Sequence, residues 1–277
     1  MEHCEYSIRF SVLLSVYIKE NALYLKQSLD SIFNQTLLPN EIVLVKDGPL
    51  TKELDGVIED CCKNNFVPIR VVALKKNGGL GNALKEGLSH CSYELVARMD
   101  TDDIAKPSRF ERQIKVLCEN PDIDVVGTWI DEFLDDTSNV LSVRKLPEKN
   151  DRICKFAKKR NPINHPTVMF RKSAVIASGG YKHFPLFEDY YLWVRMLLNG
   201  KCFYNIQESL LYFRISPDVY KRRGGWKYAI DEYRLRKMMY NSHFISFIEF
   251  ISEVPFRFLI RILPSWIRKF FYLIVIR

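Results

Sequence analysis

Residues 95–103 read Leu-Val-Ala-Arg-Met-Asp-Thr-Asp-Asp, an apolar run that ends in three carboxylates, Asp100, Asp102 and Asp103. Carboxylates at this spacing repel and raise one another's pKa unless a cation or a set of donors compensates. A hard divalent ion is the usual compensator, because it takes carboxylate oxygens, keeps open positions and can carry a diphosphate. Three other readings compete. The stretch before Pro107 and Ser108 could be a polar turn that caps the next helix. A calcium loop would use Asp100, Asp102 and Glu111, but Ile104 stands where a ligand is required and Ala105 where the turn demands glycine. The third is the Asp-x-Asp nucleophile of phosphatases, a chemistry that normally follows a first strand rather than a fourth.

The elements that would position these carboxylates can be read from hydrophobic periodicity. Residues 10–16 form a continuous apolar run, as in a strand covered on both faces. Leu25, Leu29, Ile32 and Phe33 are spaced as on a helix over 21–34 that stops before Pro39. A second strand at 42–45 ends in the turn Lys46-Asp47-Gly48-Pro49. The spacing then predicts a helix at 51–63, a strand at 69–74, a helix at 80–90 opened by Asn77-Gly78-Gly79, and a fourth strand at 95–99. Strands and helices that alternate at this spacing imply a doubly wound parallel sheet, whose ligands bind beyond the carboxyl ends of the strands. Tyr17, Asp47, Asn77 and the 100–103 carboxylates all fall at those ends, which weakens the helix-cap reading. Beyond residue 120 the pattern is mixed: a strand at 125–130, a hairpin near 133–144, a strand at 167–171 and a helix at 188–199. That half is the natural place for an acceptor.

The chain's 277 residues suit one large domain, or a domain with an appendage. Its 47% apolar and 13% aromatic content supplies an ample core, which excludes a disordered chain. Seven cysteines form no C-x-x-C pair and no secretory signal is visible, so a reducing cytosol is expected. The net charge is +8, and residues 202–277 carry +7 of it. The basic character therefore belongs to the C-terminal quarter.

Five segments in order resemble the inverting family 2 glycosyltransferases of the GT-A fold, in particular the bacterial surface-polysaccharide branch that makes amylovoran and O-antigens. They are residues 10–17, residues 41–48, Asn77–Asn82, the Asp-x-Asp at 100–102 followed by Arg109, and Glu188-Asp189-Tyr190-Tyr191-Leu192-Trp193. Lys46 stands where many members carry a second aspartate. The resemblance covers roughly residues 9–225 and implies a GT-A domain over 1–225, with a nucleotide-sugar half (1–120) and an acceptor half (121–225); a helical, membrane-associating segment is expected to follow over 226–277. It further implies that backbone near Ser15 and Tyr17, together with the Asp47 carboxylate, holds the uracil of a UDP-sugar. Asp100 would face the ribose or sugar, and Asp102 would bind Mn²⁺ or Mg²⁺ that bridges the diphosphate. Asp189 would be the general base for the acceptor hydroxyl, giving a β-linked product from an α-linked donor.

Each residue also has a plainer reading. Asp47 could be a turn former before Gly48, and Glu188 and Asp189 could simply favour the positive end of a helix. The Asn77 turn fits neither the dinucleotide nor the phosphate-loop pattern, and shapes the chain better than it binds phosphate. His165 lacks a nearby ligand pair, which favours a structural or acceptor-side role. Arg222 and Arg223, beside two glycines, suit a diphosphate or are a solvated charge run.

In the tail, 243–277, the longest charge-free run is 270–276, far short of the ~18 residues that span a bilayer. Arg257, Arg261 and Arg268 share one side of a helical projection, with Phe258, Ile260, Ile262, Trp266 and Phe270 elsewhere. Pro255 and Pro264 are expected to break the stretch into short helices. This composition suits a segment lying on an anionic membrane surface, against the alternative of a helix packed on the domain. Nucleic acid is not the expected partner, since the basic residues interleave with aliphatic ones. The expected protein is a cytoplasmic enzyme, peripheral on the inner face of the cell membrane. It would move a hexose or N-acetylhexosamine, with galactose β-linked to GlcNAc as the sharper guess, from UDP to a polyprenyl-diphosphate-linked acceptor. The rivals are a metal-dependent phosphotransferase and a non-catalytic nucleotide-sugar-binding module.

Overall fold

The computed structural model describes residues 8–215 and 224–263. The apolar run at the start forms strand β1 (Phe10–Val16), and alternate residues serve opposite faces. Phe10, Val12, Leu14 and Val16 join one buried cluster with residues of helices α1 (Ala22–Phe33) and α2 (Lys52–Asn64). Leu13 joins a second cluster with helix α3 (Leu80–His90). Both faces are covered, which is why the strand is apolar throughout. Asn21 starts α1 by accepting the amides of Leu23 and Tyr24, and Thr51 starts α2 by accepting that of Leu54.

Strand β1 lies between β2 (Glu41–Lys46) and β4 (Leu95–Arg98), and β3 (Ile69–Ala73) flanks β2, all parallel. This half matches the sequence expectation. Helix α4 (Arg109–Glu119) follows the short strand β5 (Ile104–Ala105). The Asp-rich segment does not cap it: α4 begins after Ser108, and its Phe110 N–H donates to Gln35 Oε1 of the α1–β2 connection at 3.2 Å.

The second half adds strands to the far side of β4. β8 (Met169–Arg171) is antiparallel to β4, β6 (Ile123–Phe133) is antiparallel to β8, and β9 (Cys202–Arg214) is parallel to β6. β7 (Ser142–Arg144) makes the expected hairpin with β6, while β5 pairs antiparallel with β9. The strand expected at 167–171 begins only at Met169, because His165–Thr167 forms a 3₁₀ turn around Pro166. β9, α5 (Asn150–Ala157) and α6 (Lys172–Ala177) were not expected. The helix at 188–199 is α7 (Glu188–Leu198).

Two helices close the described chain, α8 (Trp226–Asn241) and α9 (Phe247–Ile262). Phe187, Tyr190 and Val194 of the α7 region bury against Tyr228, Leu235 and Met239 of α8. α9 runs back along α8, with Trp226 against Phe258, Tyr240 against Phe250, and the Gly225 N–H donating to Arg261 O at 2.8 Å. Two expectations for this tail are corrected. Pro255 does not break it: α9 is continuous through the proline, anchored at its start by the reciprocal Ser246–Glu249 capping box. Arg257 and Arg261 do not face outward. Both pair with Glu232 of α8, and Arg261 is buried, so the arginine side of α9 is its inner side. Arg268, Pro264, Trp266 and Phe270 lie outside the described residues.

Candidate active site

A cleft of about 620 Å³ runs from the carboxyl edge of β1, β2 and β4 to the C-terminal helices. Ser15, Tyr17, Asp47, Asn77, Asp100, Asp102 and Asp189 all line it, so every expected site residue within the described chain comes together. Arg222 and Arg223 lie outside the described residues.

At the sheet edge, Asp47 leaves β2 buried and accepts the Gly78 and Gly79 N–H groups at 2.7 and 3.1 Å. Asn77 Nδ2 donates back to Asp47 O at 3.2 Å. Gly48 has a φ of 90°, and a Cβ there would stand 2.7 Å from Asn77 N, so only glycine lets the two turns touch. The Asn77 turn is thus built on Asp47, in keeping with its reading as a turn rather than a phosphate loop. Next to it, the Thr101 hydroxyl lies 3.1 Å from Glu20, to which it donates, and 3.4 Å from Ser15 O, so Glu20 joins the site, a residue that no motif marks.

The Asp100, Asp102 and Asp103 carboxylates bring one oxygen each to within 4.8 Å of one another. They divide in environment. Asp100 pairs with the buried Arg98 guanidinium. Asp103 is fully buried, accepting the Arg214 N–H at 2.9 Å, while its second oxygen has no partner among the described residues. Burial, followed by repulsion from Asp100, pushes Asp102 up to about 6. Burial and both neighbours hold Asp103 well above the usual carboxylate range. Oxygen-only donors, mutual repulsion and an orphaned carboxylate oxygen are the features a hard divalent ion would relieve, so the residues present fit such an ion.

Arg98 is the hub of this arrangement. Its Nε and Nη1 have no hydrogen-bond partner among the described residues, and its charge works to lower the pKa of Asp102, Asp103, Glu188 and Asp189. Arg109 fixes it from behind by donating to Arg98 O at 2.6 Å.

Across the cleft, Glu188 and Asp189 do occupy the first turn of α7, as the helix-dipole reading has it, and both also face the cleft. Asp189 Oδ1 accepts the Tyr190 N–H at 2.7 Å, and Oδ2 accepts from Asn161 Nδ2 at 2.5 Å. Burial raises the Asp189 pKa against these donors. Burial and the Asp189 charge push Glu188 up to about 7. His165 lines the cleft and is buried, 3.0 Å from the Tyr181 hydroxyl and edge-on to Trp193, and burial holds it neutral. Beyond Asp189 the cleft wall turns cationic, with Arg144, Lys159, Arg160, Arg236, Arg257 and Arg261.

The sequence model of glycosyl transferase family 2 matches residues 11–176. The chain belongs to that family. It is 39% identical to the Escherichia coli UDP-Gal:alpha-D-GlcNAc-diphosphoundecaprenol beta-1,3-galactosyltransferase, over 97% of each chain. Its fold is also that of two solved structures. One is Staphylococcus aureus TarS 1–349 in complex with UDP-GlcNAc, at a TM-score of 0.70 and 16% identity, covering 98% of this chain and 76% of that one. The other is the Pyrobaculum calidifontis mannosyltransferase PcManGT in complex with GDP-Man and Mn²⁺, at 0.65 and 18%, covering 84% and 64%. The chain is therefore a GT-A glycosyltransferase. Glu188, Asp189 and the helices after them lie beyond the stretch that the family model matches.

Proposed function

We propose that the enzyme transfers galactose from UDP-galactose, with inversion, to the GlcNAc of a polyprenyl-diphosphate-linked acceptor during bacterial surface-polysaccharide assembly. The observation that carries this reading is one cleft with a donor-type carboxylate cluster at the sheet edge and a separate, hydrogen-bonded carboxylate opposite it. The near full-length similarity to the E. coli galactosyltransferase supports the sugar, the acceptor and a β1,3 linkage.

In this reading Ser15, Tyr17 and Asp47 hold the uracil, and Asn77 keeps the adjoining turn in place. Asp100, fixed by Arg98, faces the ribose or the sugar. Asp102, with Asp103 behind it, would hold Mn²⁺ or Mg²⁺. When bound, the ion supplies Lewis-acid stabilisation of the charge that develops on the departing UDP. Asp189 takes the proton of the acceptor hydroxyl, which attacks C1 from the face opposite the leaving group. The Arg222-Arg223 pair, with Arg144, Lys159 and Arg160 of the cleft wall, would meet a diphosphate.

The same reading places the enzyme on the cytoplasmic face of the membrane. No helix among the described residues is long and apolar enough to cross a bilayer. The outer side of α9, however, presents Phe247, Ile248, Ile251, Phe256 and Leu259 to solvent, Ile248 at 73% exposure. An apolar helix face on a basic tail suits an anionic lipid surface, where the acceptor's polyprenyl chain would also lie.

The test is a panel of UDP-sugars with GlcNAc-diphosphate-lipid in detergent, with and without chelator, reading released UDP and the product linkage. UDP-galactose-dependent, chelator-sensitive formation of Galβ1,3GlcNAc is expected. Turnover of a different sugar overturns the donor assignment, and a trapped phospho-aspartate at Asp100 would instead favour a phosphotransferase.

A further inference from the structure

Helix α5 ends at Ala157 with carbonyls that its own turns cannot satisfy. Later helices supply the donors. Tyr190 Oη of α7 donates to Ala157 O at 2.6 Å. Arg236 of α8 donates through Nη1 to Lys158 O and through Nη2 to Lys159 O, and Arg257 of α9 donates from Nη2 to Lys159 O at 2.8 Å. Cations at the negative end of a helix are favourable, and the planar guanidinium fork fixes two carbonyls at once. The clamp is itself held: Arg236 is 2% exposed and 3.5 Å from Glu253, while Arg257 lies 3.1 Å from Glu253 and 3.4 Å from Glu232.

Just beyond the clamped carbonyls stands Asn161. Its Oδ1 accepts the Ile163 N–H at 3.4 Å, which orients the amide so that Nδ2 points at Asp189. With the Tyr190 N–H on the other oxygen, the carboxylate plane of Asp189 is fixed from both sides. A general base has to be aimed, because an error of about 1 Å in position can cost on the order of 100-fold in rate.

We infer that Asn161 is a positioning residue for the Asp189 carboxylate, and that Arg236 and Arg257 set its place by clamping the carbonyls of residues 158 and 159. This rests on the reading of Asp189 as the general base. It makes the C-terminal helical pair a part of the catalytic apparatus and not only a docking segment.

The charged and titratable groups that bear on Asp189 are Glu188 beside it, Arg98 of β4, Arg144 of β7, and Tyr181. Asn161 stabilises the carboxylate form, so its loss raises the pKa of the base. The deprotonated form is the active one, and the acid limb of the pH–rate profile then moves to higher pH.

The experiment uses the full chain with UDP-galactose and GlcNAc-diphosphate-lipid. Asn161→Ala should lower kcat roughly 10- to 100-fold, leave the donor KM within about two-fold, and move the acid limb of kcat upward. Arg257→Lys, which keeps the charge but loses the fork, should change kcat in the same direction by less. Asp189→Ala is measured alongside. If Asp189→Ala is inactive while Asn161→Ala keeps the wild-type kcat and acid limb, or loses only donor KM, the inference is overturned and the base stands. If Asp189→Ala stays active, the base assignment fails and the inference with it.

Discussion

At one end of the cleft, Asp47 and the Asp100–Asp103 cluster sit within a few residues of the ends of two parallel strands and are braced by loops of the same sheet. At the other end, Asp189 is held by Asn161, whose chain is fixed from outside by arginines of α8 and α9. This end, the donor end in the proposed reading, is thus a consequence of local topology and falls inside the stretch that the family model matches. The opposite end, which the proposed reading gives to the acceptor, is assembled from four separate pieces of chain. Such an arrangement lets acceptor recognition diverge through the second half and tail while the nucleotide site stays as the sheet makes it.

The sharpest way to break this division is to remove one carboxylate from each end. Asp102→Ala should cost about 1,000-fold or more in turnover and abolish the response to added Mn²⁺, because diphosphate charge is left uncompensated. Its donor KM should rise as well. Asp189→Ala should also cost about 100- to 10,000-fold, the usual contribution of a general base, but with UDP-sugar binding unchanged by calorimetry. Chelation should reproduce the first variant and not the second. Loss of donor binding in Asp189→Ala would show that the two ends are not separable.

A second, smaller effect separates the faces of α9. The inner face carries Arg257 and Arg261 against Glu232; the outer carries Ile248 and Ile251. Ile248→Glu with Ile251→Glu should weaken binding to anionic vesicles about 10- to 100-fold, as expected for two large apolar side chains kept out of the bilayer and two charges added. Turnover of a detergent-dispersed acceptor should stay within about two-fold. Equal loss in detergent would mean that the outer face, too, supports the cleft.

The same asymmetry governed what could be read from the residues alone. The apolar runs of β1, β2 and β4 are unbroken because both faces of the sheet are covered, and each ends in polar residues at the same edge, so that edge was legible in order. β9 was not, because its burial alternates irregularly around bulges against β6, and its polar residues break any simple pattern. Asn161 carries no motif, since the role inferred for it rests on a hydrogen bond across 28 positions. Arg257 and Arg261 looked like a lipid-facing stripe, because a helical projection shows that they share a side but not which side faces the domain. Pro255 looked like a breaker because the bonds that hold α9, to α8 and at its capping box, are not local to the proline.

The smallest expected effect tests whether the acceptor end carries its charges at a cost. Glu188 has its pKa pushed up to about 7 by burial and by Asp189, against an ordinary 4.5. A carboxyl whose folded pKa lies above its unfolded value favours the folded state while protonated. That stabilisation is fully present below about pH 4.5 and is lost as pH rises through about 7. In metal-free protein, Glu188→Gln should therefore leave Tm little changed near pH 4.5. At pH 8 it should raise Tm relative to wild type by about 5 °C, as a buried charge is removed. The donor end gives the contrasting result: added Mn²⁺ should raise wild-type Tm at pH 8 by binding the folded state, and should do so equally in Glu188→Gln. If the Gln variant gained nothing at pH 8, or lost its Mn²⁺ response, Glu188 would belong electrostatically to the donor cluster instead of to the base.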